Sequence, residues 1–210
     1  MATEERSATL MLIQFARAPV PGRVKTRLIP ALGAGAAAEL HERLLLHICR
    51  QLLACELGPV QMWVTGAMKH PVLAQCEYLG AALRRQRGND LGERMLCAFE
   101  EGLAQHECVI LVGSDVPGLN PEYLQEAAEA LRQVDAVIGP AYDGGYVLIG
   151  LRRCSAQLFS GIEWGSAEVL AQTQRRLEQL GWSWKTLGPL PDIDRPDDLR
   201  YVPAELLQPD

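Results

Sequence analysis

Short, wholly apolar runs alternate along this chain with longer stretches in which apolar residues recur every three or four positions. Residues 9–15 predict a buried first strand, 60–65 a second, and 108–112 the most apolar strand of the chain. Between the first two, residues 36–56 carry Leu40, Leu44, Ile48 and Leu52 at four-residue spacing, one face of a long amphipathic helix. After a short helix, residues 81–86 predict a further strand, although it carries arginines. Residues 134–138 and 146–151 predict two more, joined by a glycine-containing turn, and 182–187 a last one. Polar caps punctuate the helices. Asp90 with Glu93 predicts a capping box for a helix over 90–105. Asn120 and Pro121 open a helix bearing Leu124, Ala128 and Leu131, and Ser166 is expected to cap a helix running to Leu180.

Strands alternating with helices over the whole length predict an α/β fold, a doubly wound and mostly parallel sheet with helices on both faces. With no repeat, linker or low-complexity segment, residues 1–210 read as a single domain.

Composition narrows the function. An apolar content of 48% supplies a full core, and a net charge of −6, from 20 basic and 26 acidic residues, argues against nucleic-acid binding by a broad basic surface. The start Met-Ala-Thr-Glu-Glu-Arg lacks the pattern of a secretory signal, and no apolar run reaches the roughly 18 residues of a membrane span, so a cytoplasmic protein is expected. Cys49, Cys55, Cys76, Cys97, Cys108 and Cys154 form no C-x-x-C pair and read as reduced core residues. His41 and His47 lie on a predicted helix, with no partner at metal-ligand spacing.

In such sheets ligands bind beyond the carboxyl ends of the strands. Reactive residue types collect there. After the first strand, Arg17, Arg23, Lys25 and Arg27 fall within eleven residues, with Gly22 among them. Cations and close backbone approach suit a diphosphate, although a solvated loop has the same composition. After 108–112 comes Gly113-Ser114-Asp115-Val116-Pro117. Asp115 is the leading candidate for a hard divalent cation, with Asp194 or Asp143 as a second carboxylate. A turn role for Asp115 and a helix-start role for Asp194 explain them as well. Asp143-Gly144-Gly145-Tyr146 fits a substrate contact or a tight turn, and capping accounts for Asp90. Gly33-Ala-Gly35-Ala-Ala-Ala38 matches a dinucleotide fingerprint only on paper, since it begins well after the strand. No P-loop is present.

Four ordered motifs carry a resemblance: Phe15 to Leu28, Gln86-Arg-Gly88-Asn-Asp90-Leu-Gly92-Glu-Arg94-Met, Gly113-Ser-Asp115-Val-Pro117 and Asp143-Gly-Gly-Tyr146. They resemble the bacterial glycosyltransferase-A-like proteins of the DUF2064 group, within the nucleotide-diphospho-sugar transferase superfamily. Some of its members are labelled arsenosugar-biosynthesis glycosyltransferases. The resemblance implies a Rossmann-like glycosyltransferase-A domain with one antiparallel strand, residues 146–151. It implies nucleotide binding by Arg17, Gly22, Arg23, Lys25, Arg27, Gln86 and Gly88, and substrate binding by Asp143, Gly144, Gly145 and Tyr146. It sets Asp115 where the superfamily carries its metal-binding acids, with one acid here instead of Asp-x-Asp. The tail Asp192-Ile-Asp194-Arg-Pro-Asp-Asp-Leu199 is similar to the ending of small nucleotidyltransferases, in which the aspartate matching Asp194 helps hold the metal.

The expected activity is a Mg2+- or Mn2+-dependent transfer of a glycosyl group from a nucleotide-diphospho-sugar to a small-molecule acceptor, with Asp115, Asp143 and Lys25 as catalytic residues. The alternatives are a nucleotidyltransferase releasing pyrophosphate and a nucleotide-binding regulator without turnover.

Overall fold

A computed structural model describes residues 10–207. The predicted strand start at Thr9 and the N-terminal reading of Met1 to Arg6 lie outside the described residues. The first strand, β1 (Leu10–Arg17), leads through the basic loop to α1 (Ile29–Leu32) and α2 (Ala34–Ala54). Then come β2 (Val60–Thr65), α3 (Pro71–Leu79), β3 (Ala82–Arg85), α4 (Leu91–Leu103), β4 (Cys108–Val112) and α5 (Pro121–Leu131). The chain continues through β5 (Ala136–Pro140), β6 (Tyr146–Leu151), α6 (Ala156–Phe159), α7 (Val169–Leu180) and β7 (Trp184–Thr186). It ends in a 3-10 helix, Pro196–Tyr201, and α8 (Ala204–Leu207).

The seven strands form one sheet in the order β3-β2-β1-β4-β6-β5-β7. The chain winds outward from β1 through β2 to β3, then returns to place β4 on the other side of β1. That reversal leaves a crevice at the carboxyl ends of β1 and β4. Strand β6 runs antiparallel to both β4 and β5. Only a short turn separates β5 from β6, too little chain for the crossover that a parallel pair requires.

Both faces of the sheet are covered, and β1 shows how. Leu10, Leu12 and Ala16 enter the core under α2, α3 and α5, while Met11, Ile13 and Phe15 enter the opposite core under α4, α6 and α7. Leu40, Leu44, Ile48 and Leu52 are fully or almost fully buried, each contributing about 1.5–3 kcal/mol of burial free energy. A third, smaller cluster joins Leu28, Leu40 and Leu44 to Ile193 and Val202. It fastens the C-terminal segment across the basic loop.

Several boundaries differ from the sequence reading. Asp90 caps α4 by accepting from the Glu93 N–H, but the Glu93 carboxylate closes on the Asn89 N–H and amide, one residue further back. Ser166 accepts from the Glu168 N–H in a turn before α7, whose N-cap is Glu168. Strand β7 is shorter than residues 182–187, and β3 is an exposed edge strand, where Arg84 and Arg85 reach solvent. All six cysteines are free, and four of them are buried.

Candidate active site

The carboxyl ends of β1 and β4 are stitched together from inside. Gln14 is a wholly buried polar residue on β1, and its side-chain amide donates to the Leu45 carbonyl at 2.9 Å and to Ser114 Oγ at 3.0 Å. The Ser114 hydroxyl donates to the Phe15 carbonyl at 2.7 Å. With Ser114 held, Asp115 projects into the crevice beside the basic loop.

That loop turns sharply at Pro21-Gly22. The Arg23 N–H donates to the Val20 carbonyl at 2.9 Å, and Gly22 has φ 79°, the arrangement of a type II turn. Arg17 reaches back to the Arg23 carbonyl at 3.3 Å. Lys25 departs from the other three cations. Its backbone is left-handed at φ 47°, rare and strained for a residue with a side chain, and its side chain is only 3% exposed. The ammonium donates to the Ile193 carbonyl and pairs with Asp115 Oδ2 at 2.7 Å. Loop, β4 end and tail therefore meet at one buried nitrogen. Arg27, exposed, pairs with Asp194.

Asp115 has a second neighbour that the sequence reading set aside. His41, buried on α2, places Nδ1 3.6 Å from Asp115 Oδ1. Burial works to raise the Asp115 carboxyl, but the Lys25 ammonium and then the His41 imidazole outweigh it and hold the group below the usual carboxylate range. Asp192 moves the other way. Burial first, then the Asp143 carboxylate and, more weakly, Asp115, push it up to about 6. No residue spacing flagged His41 as a partner of Asp115. The acidic tail drew attention to Asp194 rather than Asp192.

Two chambers share Asp115. One, about 320 Å³, is lined by Arg17, Arg23, Lys25, Arg27, His41 and Asp194, so it gathers all four predicted cations. The other, about 230 Å³, is lined by Asp143, Gly145, Tyr146, Trp164 and Asp192. The turn at 143–145 is built for its place. The Gly145 N–H donates to Asp143 Oδ1 at 2.9 Å, and Gly144, at φ 91°, lies so close to Ala167 that a Cβ would sit 2.1 Å from its carbonyl oxygen. The Tyr146 ring stands edge-on to Trp164 at 6.5 Å, and burial raises its phenol.

Gln86 and Gly88 line neither chamber. The Gln86 amide donates to the Ala16 carbonyl at 3.1 Å and the Trp63 carbonyl at 2.8 Å, tying the ends of β1, β2 and β3. Gly88, at φ 129°, packs against the start of α4, and Arg94 donates to its carbonyl. Among the described residues no three ligating side chains converge in a preformed metal cluster. Nor is any helix long and apolar enough to cross a membrane.

The family model for an uncharacterized protein conserved in bacteria (DUF2064) matches residues 48–166. A candidate nucleotide-diphospho-sugar transferase from Desulfovibrio desulfuricans G20 is 32% identical, with a TM-score of 0.83 over 90% of this chain and 84% of its own. Two more distant structures share the fold alone. Glucosyl-3-phosphoglycerate synthase from Mycobacterium tuberculosis, solved with Mn2+, UDP and glucosyl-3-phosphoglycerate, is 11% identical, with a TM-score of 0.58 over 92% of this chain and 75% of its own. The 4-diphosphocytidyl-2C-methyl-D-erythritol synthase from Anaerococcus prevotii DSM 20548 is 11% identical, with a TM-score of 0.60 over 96% and 97%. No curated protein matches the chain.

Proposed function

This chain belongs to the DUF2064 family, and from that premise and the crevice at Asp115 we propose that it transfers a glycosyl group from a nucleotide-diphospho-sugar to a small-molecule acceptor. The observation that carries the reading is the meeting of Arg17, Arg23, Lys25 and Arg27 with Asp115 at the reversal of strand order. A diphosphate needs that density of positive charge, and an otherwise acidic protein concentrates it there.

A divalent cation fits the residues present. Asp115 Oδ1 is a buried carboxylate oxygen with no hydrogen-bond partner among the described residues, and magnesium takes only one or two protein carboxylates when phosphates and water complete its shell. Asp115 and Asp194 would hold Mg2+ or Mn2+, and Asp194 would exchange Arg27 for it. When bound, the ion supplies positive charge to the departing diphosphate. Arg17, Arg23 and Arg27 bind phosphate oxygens, and Gly22 lets the backbone approach them. Lys25, tethered to Asp115 and the Ile193 carbonyl, supplies a fixed charge at the chamber wall. Asp143 faces the acceptor and orients or deprotonates its hydroxyl. The acceptor oxygen bonds to the sugar carbon as the bond from that carbon to the diphosphate oxygen breaks. The hydroxyl proton passes to the carboxylate, and a nucleoside diphosphate leaves.

The tail supports a second reading, nucleotidyl transfer from a nucleoside triphosphate with loss of pyrophosphate. Ile193, between Asp192 and Asp194, is locked to both the basic loop and β4 through Lys25 and the Asp115 carbonyl. Thermal-shift screening of nucleotides and nucleotide sugars with and without magnesium or manganese, followed by product analysis, separates the readings. Nucleoside diphosphate release from a sugar donor supports glycosyl transfer. Pyrophosphate from a triphosphate rejects it in favour of the second. A chain that binds no nucleotide in any arm is neither.

A further inference from the structure

A third cavity, about 290 Å³, opens between the 141–145 turn and the C-terminal segment. Asp143 and Asp192 line both this cavity and the Tyr146 chamber, so they stand at the junction of the two. Tyr142, Arg195, Arg200 and Tyr201 line the new cavity alone and give it a different chemistry. Tyr142 is 61% and Tyr201 37% exposed, with ring centroids 6.2 Å apart and planes inclined at 50°. Neither ring serves the core, yet together they present an aromatic wall to a concave site. The Arg200 guanidinium lies 4.7 Å from the Tyr201 ring centroid and donates to that tyrosine's hydroxyl.

The charges in this cavity are unevenly satisfied. The Asp198 carboxylate accepts from the Asp194 and Arg195 N–H groups, and Asp194 pairs with Arg27. Among the described residues, neither Arg195 nor Arg200 has a carboxylate at ion-pair distance. Asp143 and Asp192 lie on the Asp115 side, at the junction with the Tyr146 chamber. Arg195, Arg200 and the two aromatic faces line the remainder together with Asp194 and Asp198, whose carboxylates are taken up by Arg27 and by backbone N–H groups. A ligand that satisfies both ends carries hydroxyls at one end and negative charge at the other.

We propose that this cavity binds the acceptor, a hydroxylated small molecule with a phosphate or carboxylate group, its hydroxyl toward Asp143 and Asp192 and its anion toward Arg195 and Arg200. The word acceptor rests on the transferase reading above, whereas binding of such a molecule does not. The ring or carbon chain lies against Tyr142 and Tyr201. Guanidiniums fork onto either kind of anion, so phosphate and carboxylate share one recognition chemistry.

Isothermal titration calorimetry tests this on the full chain and on Arg200→Ala and Tyr142→Ala. The probes are glycerol 3-phosphate and glucose 6-phosphate, glycerate and gluconate, and the neutral glycerol and glucose. At least one anionic probe should bind, and its neutral counterpart should be weaker by roughly tenfold or more. Arg200→Ala should weaken that probe by a similar factor at an unchanged melting temperature, and Tyr142→Ala should weaken it less. The proposal is overturned if no anionic probe binds, if the neutral counterpart binds equally, or if neither substitution matters. Inorganic phosphate matching the organic probes overturns it too, because the site then selects nothing but an anion. UDP and CTP titrated with magnesium report separately on the donor site. Nucleotide binding without anionic-probe binding removes the cavity assignment alone. Anionic-probe binding without nucleotide binding upholds the cavity and removes the transferase reading.

Discussion

His41 Nδ1 lies 3.6 Å from Asp115 Oδ1, and among the described residues neither buried atom has a hydrogen-bond partner. The other ring nitrogen sits 2.9 Å from the Arg17 carbonyl, which can only accept, so Nε2 carries a proton. A second proton on Nδ1 would turn a cation toward the carboxylate. Without it, two lone pairs oppose each other across the gap. On the far oxygen, Lys25 supplies its ammonium at 2.7 Å. Asp115 is thus held between two basic groups, one from α2 and one from the loop.

Lys25→Ala should lower stability by about 1–3 kcal/mol, because it strips charge from Asp115 and leaves the Ile193 carbonyl without its donor. Asp115 is 39% exposed, so water keeps the loss below that of a fully buried pair. The difference between variant and wild type should narrow as pH falls. A depressed carboxyl stabilises the fold above the ordinary carboxylate range, and that contribution fades as pH falls through its own low value. Losing Lys25 moves that value back toward the unfolded one, so the variant has less of this contribution to lose and the two stabilities converge in acid. Urea denaturation at neutral and acid pH measures both effects. Superimposable curves for variant and wild type would show that the pair holds nothing.

The turn between β5 and β6 should tolerate no side chain at its second residue. Gly144→Ala meets the Ala167 carbonyl at 2.1 Å in a left-handed backbone, whereas a Cβ on Gly22 has nothing within 4 Å. Gly22→Ala should therefore cost about 1–2 kcal/mol from backbone strain alone, and Gly144→Ala about 3 kcal/mol or more. Chemical denaturation of the two variants side by side checks the order, and an equal cost would contradict the close approach.

Asp192 supplies a pH test of opposite sign. Its carboxyl titrates at about 6 in the folded protein, against an ordinary value near 4, so the fold binds its proton more tightly than the unfolded chain does. Its stabilising share is complete below about pH 4 and is lost as pH rises through about 6. Asp192→Asn removes the penalty of ionisation and should be more stable than wild type at pH 8, by at most about 3 kcal/mol. The difference should shrink toward pH 4. Stability curves that stay parallel from pH 4 to 8 would rule out the burial and the repulsion from Asp143.

Much of this was legible because the signals were local. Residues 146–151 read as an antiparallel strand from the family resemblance, and the short turn before them supplies the physical reason. The strand ends at Arg17 and Asp115 could be placed because apolar runs stop there and polar residues begin. The rest depended on contacts between distant segments. His41 sits on an ordinary amphipathic helix and gains its meaning only when β4 brings Asp115 to it. Lys25 stood out from Arg17, Arg23 and Arg27 only as an expected catalytic residue, since no pattern announces a left-handed lysine whose ammonium bonds to the tail. Gln86 stands in a motif suggestive of a ligand, yet its amide is engaged by the Ala16 and Trp63 carbonyls. The α7 start lies at Glu168 rather than Ser166 because the Ser166 hydroxyl is spent on the Glu168 N–H in the preceding turn.

Asp115→Asn tests the centre of the proposed mechanism. The carboxylate ends the turn after β4, its Oδ1 unpartnered and its Oδ2 on Lys25, with the basic chamber on one side and the Asp143 chamber on the other. An amide keeps the size of the side chain, and its oxygen can still accept from Lys25, so the fold should survive. What disappears is the negative charge that a hard cation needs. The substitution also leaves Lys25 buried opposite a neutral group, so a loss of about 1–3 kcal/mol is expected on that account. The decisive quantity is the ratio of nucleotide affinities with and without magnesium. In the wild type that ratio should be large, and in Asp115→Asn it should fall to near one while the apo protein still unfolds cooperatively. Asp194→Asn should reduce the ratio without removing it, because Asp194 lies across the same chamber and is partly committed to Arg27. An Asp115→Asn protein that keeps full magnesium dependence would move the cation away from β4 and undo the proposed role of this residue.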